Sequence, residues 1–97
     1  MAKGYWIVSY RSVTNPSGVA EYGKLAVPAI EAGGGRIVVR GAPSKVYEAG
    51  LEQRSVVIEF DSVQSAIATY ESPSYQAALK ILKGAAERDL RIVEGVS

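Results

Sequence analysis

A chain of 97 residues, 47% hydrophobic, with 11 Lys plus Arg against 10 Asp plus Glu and a net charge of +1, is globular in composition and has no global field to draw in nucleic acid or an anionic membrane. Cysteine and histidine are both absent. That inventory excludes disulfides, thiolate nucleophiles, Cys/His zinc sites, histidine-ligated haem and the Ser-His-Asp triad, and leaves carboxylate, arginine, lysine, tyrosine and serine chemistry, with no metal and no cofactor expected.

Gly4 to Tyr10 is aromatic and β-branched and reads as the first strand. Neither a signal-type segment before it nor an apolar run long enough to span a bilayer is present, so a cytoplasmic location without membrane contact is expected. Asn15-Pro16 then starts a helix, with Asn15 as cap and Pro16 in the first turn. Val19, Tyr22, Ala26, Ala29 and Ile30 recur at helical spacing, and Gly33-Gly34-Gly35 stops the helix. Pro28 lies inside the stripe and cannot donate to the carbonyl of Lys24, which predicts a kink or an early end.

Arg36 to Arg40 and Ser55 to Phe60 read as strands two and three. Between them Gly41 to Arg54 includes the strand-like Lys45 to Glu48, and an extended, twisted hairpin is expected there. Asp61 to Gln64 resembles a capping box, opening a helix with the stripe Val63, Ala66, Ile67 and Tyr70. Ser72-Pro73 restarts the helix, whose apolar face continues through Tyr75, Leu79, Leu82 and Ala86. Asp89 to Glu94 is the fourth strand.

The order is the split βαβ pattern of a ferredoxin-like α+β sandwich, a four-stranded antiparallel sheet with both helical elements on one face and the second split at Ser72-Pro73. The other sheet face should be polar. It is not: if Ile37, Val39, Val56, Ile58 and Phe60 meet the helices, the opposite set of strands two and three still carries Val38 and Val57, both sets of the first strand (Trp6/Val8/Tyr10 and Tyr5/Ile7/Ser9) carry large apolar bodies, and Leu90/Ile92 alternates with Val93 in the fourth. Leaving four or five such side chains in water forgoes about 6–15 kcal/mol, comparable to a small domain's whole stability. With no third layer in residues 1–97, a second copy packed sheet to sheet is the expected cover, giving a homodimer.

The residues that carry a resemblance run along the chain: Gly4-Tyr5-Trp6-Ile7, Gly33-Gly34, Arg40-Gly41, Val57-Ile58-Glu59-Phe60, Ser62, Ala66, Tyr70, Ser72-Pro73-Ser74-Tyr75-Gln76 and Val93-Glu94-Gly95. Together they resemble the bacterial domain of unknown function 1330 family, with departures at Asp61 and Ala42, both in turns. The family is similar to the dimeric α+β barrel group, which includes cofactor-free monooxygenases, isomerases and binding proteins. The resemblance implies fold and dimer, and brings no catalytic residue with it.

Among candidate site residues Glu59 stands out as a carboxylate inside an apolar strand, where it must be protonated or met by a cation. Arg36 and Arg40 both lie on its alternation face in the neighbouring strand, and the long connection leaves open which one is opposite. One reading makes Glu59 a general base and Arg40 an oxygen-binding cation in a polar pocket, and the other makes an ion pair across strands. Ser72 and Tyr75 near a helix N-terminus either take part in binding an anion or are cap and core. Trp6, with Tyr5, either lines a pocket for a planar ligand or packs. The expected function is a small-molecule-binding homodimer, in its enzymatic form a cofactor-independent one acting on a small carbonyl or hydroxylated organic compound. The alternative is a non-catalytic dimerisation or regulatory module.

Overall fold

Seven regular elements follow one another: β1 (Gly4–Val13), α1 (Pro16–Ala32), β2 (Arg36–Gly41), β3 (Ser55–Phe60), α2 (Val63–Tyr70), α3 (Pro73–Leu82) and β4 (Ala86–Glu94). They come from a computed structural model that describes residues 2–96. The sheet order is β2-β3-β1-β4 with every neighbouring pair antiparallel. β1 and β2 are therefore parallel with β3 between them, and β3 and β4 are parallel with β1 between them, so two split βαβ units interlock as in a ferredoxin-like fold.

Local chemistry sets the helix ends. Asn15, Ser62 and Ser72 each accept from the backbone N–H three residues on, at Gly18, Ser65 and Tyr75, and Pro16 and Pro73 occupy first-turn positions that need no donor. α1 ends in a Schellman motif: Gly35 N–H reaches Ile30 O at 2.8 Å and Gly34 N–H reaches Glu31 O at 3.0 Å, with Gly34 at φ +86°, where a side chain would be strained. Pro28 does not end the helix, which runs on to Ala32. Lys24 and Pro28 both lie on the exposed side of the helix, so the hydrogen bond that Pro28 cannot donate is missing on the solvent side and not in the core.

The core lies between helices and sheet and is centred on Trp6, which is fully buried and donates from Nε1 to Ala66 O at 2.9 Å. Its ring meets Phe60, Tyr70 and Tyr75 at centroid distances of 5.2, 5.7 and 4.8 Å. The α1 stripe is buried at Tyr22, Ala26, Ala29 and Ile30 as the spacing predicts. In α2, however, Thr69 is buried and Ile67 is exposed, because the eight-residue helix turns Ala66 and Thr69 inward. α3 stops at Leu82, since Gly84 at φ +83° turns the chain and Ala86 already belongs to β4.

Two expectations about the strands are corrected. Residues 42–54 contain no strand: Gly50 N–H bonds Tyr47 O in a turn with Glu48 at φ +54°, and Lys45 to Glu48 has no ladder partner. Val39 does not face the helices. A bulge places Ile37 opposite Ile58 but Val39 opposite Val57, so one extra residue, Val38, inverts the alternation of β2 beyond it. Val39 is 48% exposed on the outer face, and Arg40 moves to the helix side.

Candidate functional site

That inversion brings Arg40 to the mouth of a cavity between α1 and the sheet. The cavity measures about 100 Å³, with Val8, Ile30, Val56 and Ile58 among its apolar walls and Tyr22, Arg40, Arg54 and Arg88 among its polar ones. Each cation arrives on a different element. Arg54 immediately precedes β3 and is pinned to β1, where Tyr10 N–H donates to its carbonyl at 3.1 Å. Arg88 stands opposite Tyr10 in the β1–β4 ladder. The two guanidinium carbons lie 5.6 and 5.7 Å from the centre of the Tyr10 ring, one from the residue before β3 and one from β4.

Arg88 also organises two phenols from different helices. It donates from Nη1 to Tyr22 Oη and from Nη2 to Tyr75 Oη, both at 3.2 Å, while the two hydroxyls are hydrogen-bonded to each other. Burial pushes Tyr22 well above the ordinary tyrosine range, against the lowering effect of Arg88 and with the help of Tyr75, so Tyr22 is a neutral phenol. Burial alone would lower Arg88, but Tyr22 and Tyr75 outweigh it and hold the guanidinium charged. Among the described residues no carboxylate lies within 4.0 Å of Arg40, Arg54 or Arg88.

The outer sheet face holds a separate polar group. Glu59 is the register partner of Arg36 in β2 and of Tyr5 in β1. Arg36 pairs with one carboxylate oxygen, and Tyr5 Oη donates to the other at 2.9 Å. The Glu59 side chain is only 14% exposed, against 70% for Arg36.

The domain of unknown function 1330 family matches the chain over residues 3–96. The chain belongs to the DUF1330 family. Its fold is also that of several solved structures. RPA0582 of Rhodopseudomonas palustris, a protein of unknown function, is 19% identical with a TM-score of 0.73, covering 99% of this chain and 84% of that one. A dimeric ferredoxin-like protein of unknown function from Thermobifida fusca is 17% identical with a TM-score of 0.54, covering 95% and 90%. A conserved protein from Bacteroides thetaiotaomicron, named as a possible oxidoreductase, is 10% identical with a TM-score of 0.57, covering 96% and 95%. At these identities the likeness is one of fold. No curated protein matches the sequence.

In this DUF1330 chain the candidate residues fall into four places: the cavity, the outer face, the core and the α3 cap. Arg40 and Glu59 do not share a pocket, because the β2 bulge sends Arg40 to the helix side and leaves Arg36 with Glu59. Tyr75 is wholly buried, and its hydroxyl belongs to the network behind the cavity. Trp6 is core with its donor satisfied, and Ser72 caps α3 while its hydroxyl donates to Thr69 O at 2.7 Å. Arg54, Arg88 and Tyr22 were missed as site residues. The signal for Arg88 is the alternation Arg88, Leu90, Ile92, visible only if β4 begins before Asp89. For Arg54 no signal exists in the sequence, since it ends an irregular segment.

Proposed function

We propose that this DUF1330 chain works as a homodimer, one ferredoxin-like unit of residues 1–97 per protomer, in which each protomer binds a small oxygen-bearing organic compound between α1 and the sheet. The cavity carries the reading: its walls are apolar, and its polar groups converge from α1, β2, β4 and the approach to β3. Small-molecule sites combine such walls with a few placed polar groups. In the enzymatic form of this reading, a cofactor-independent one, Arg40 and the Tyr22–Tyr75–Arg88 network steady an oxygen as it gains negative charge. Glu59, Trp6 and Ser72 are then structural.

The dimer is supported by the outer face, where Ile7, Val39 and Val93 remain 42%, 48% and 44% exposed, and by the dimeric ferredoxin-like proteins of the same fold. That face also favours a second reading, a dimerisation module without a ligand, because the partly buried carboxylate of Glu59 is already paired.

Gly23 provides the test. It lies on α1 beside the cavity, and a Cβ there meets no atom within 4 Å. Gly23→Leu should keep or raise stability, since a helical glycine costs about 1 kcal/mol relative to alanine. It should also abolish the co-purification of small molecules detected with the wild type by native mass spectrometry. A wild type that carries nothing and gains no thermal stability from a screen of small acids, alcohols and ketones supports the dimerisation module instead.

A further inference from the structure

Resting on the cavity reading above, we infer that the compound it takes is a small monocarboxylate, its anionic head held by Arg54 and Arg40 and by the Tyr22 hydroxyl, its apolar body against Val8, Ile30 and Val56. Three observations converge on this class.

The polar lining supplies hydrogen-bond donors and positive charge. Arg40, Arg54 and Arg88 are permanent cations that only donate, and among the described residues none has a carboxylate partner within 4.0 Å. Every other short contact between opposite charges in the described chain lies elsewhere, at Lys3–Asp61, Arg11–Asp89, Lys24–Glu21, Arg36–Glu59 and Arg91–Asp89. Two guanidiniums sharing one tyrosine ring repel each other, and an anion between them and Arg40 relieves that repulsion.

Arg54 Nε is buried and has no hydrogen-bond partner, the one such side-chain atom among the described residues. A buried donor left unmade is costly, and a charged one more so. Its residue lines the cavity, and a small turn of the guanidinium toward an acceptor bound there gives Nε–H its partner.

The third observation is a count of hydrogens. Tyr22 and Tyr75 together own two hydroxyl hydrogens, and Arg88 consumes only their lone pairs. One hydrogen bridges the two oxygens, which leaves one over. If Tyr22 donated to Tyr75, the spare hydrogen would sit on a wholly buried Tyr75 without an acceptor. The better arrangement has Tyr75 donate, and Tyr22, which lines the cavity, offer its hydrogen to whatever occupies it. Donors on every polar side call for a group that only accepts. A carboxylate does so with two oxygens, and the apolar walls ask for a hydrocarbon body that inorganic anions lack.

The test titrates the 15N-labelled protein at neutral pH with acetate, butyrate and benzoate, with the matching amides acetamide, butyramide and benzamide, and with inorganic phosphate, following the Arg54 Nε–H resonance. At least one acid should shift that resonance and bind ten-fold or more tightly than its amide. Arg54→Met should erase the difference, Arg54→Lys should restore part of it, and Arg40→Met, at an exposed position, should reduce it independently of any folding defect at Arg54. An amide that binds as well as its acid overturns the carboxylate assignment and leaves the cavity as a ligand site. Phosphate that binds as tightly as the best acid overturns it in favour of an inorganic anion. If neither acids nor amides shift any cavity resonance, the ligand-binding reading falls with it.

Discussion

Arg36 and Glu59 stand directly opposite each other in the β2–β3 ladder, and Tyr5 closes the second carboxylate oxygen from the other side, so a nearly buried carboxylate is held by one cation and one phenol. Because Arg36 is largely exposed, solvent screens most of the pair's Coulomb energy. Glu59→Gln is expected to lower stability by about 1–2 kcal/mol, chiefly through the charged hydrogen bonds it weakens. A double-mutant cycle by urea unfolding should give a coupling of about 0.5–1 kcal/mol with Arg36 and none with Arg40, which lies across the sheet. Coupling to Arg40 instead would contradict the β2 bulge.

Pro28 sits on the exposed side of a helix that continues past it, so its ring fills no core space and its missing donor is a net loss. Pro28→Ala regains helix propensity worth up to about 3 kcal/mol and gives back about 0.4–1 kcal/mol through a freer unfolded chain. A rise in stability of about 1–2 kcal/mol is expected by thermal or urea unfolding. A fall of that size would mean that the proline ring or a bend it imposes is needed for packing.

The phenol network makes stability sensitive to alkali. In the unfolded chain Tyr22 ionises near its ordinary value of 10.0, while the folded protein holds the proton to higher pH, mainly because the ring is buried. Its contribution is therefore complete below about pH 10 and is lost as pH rises toward the folded value, the unfolded state releasing the proton first. Thermal midpoints followed from neutral pH upward should descend beyond about pH 10, and Tyr22→Phe should make that descent shallower. An identical slope in the two proteins would remove Tyr22 as its source.

Self-association through the outer face can be probed at Ile7, in the middle of β1, with Val57 and Arg91 as its register partners. The wild type should scatter light as a dimer at micromolar concentration. Ile7→Asp should scatter as a monomer of 10.3 kDa and should still fold, because position 7 is already 42% exposed in the single protomer. A wild type that is monomeric throughout that range would refute the sheet-to-sheet assembly.

Element order, the helix caps at Asn15 and Ser72, the glycine stop after α1 and the apolar face of β3 were legible from residue types and spacing, whereas the capping box read over Asp61 to Gln64 lies one residue before the cap that forms at Ser62. These are local effects: a cap bonds three residues away, and a strand's alternation repeats every two. The site was not local. It joins Tyr22, Arg40, Arg54, Tyr75 and Arg88, which come from five separate places in the chain, and it depends on one extra residue in β2. Nothing in Arg36-Ile37-Val38-Val39-Arg40 marks Val38 as that residue, because the strand is apolar on both faces and either register buries hydrophobic surface. Only pairing with β3, whose Ile58 and Phe60 are committed to the core, decides where the alternation breaks. That break sends Arg40 to the cavity and leaves Glu59 to Arg36.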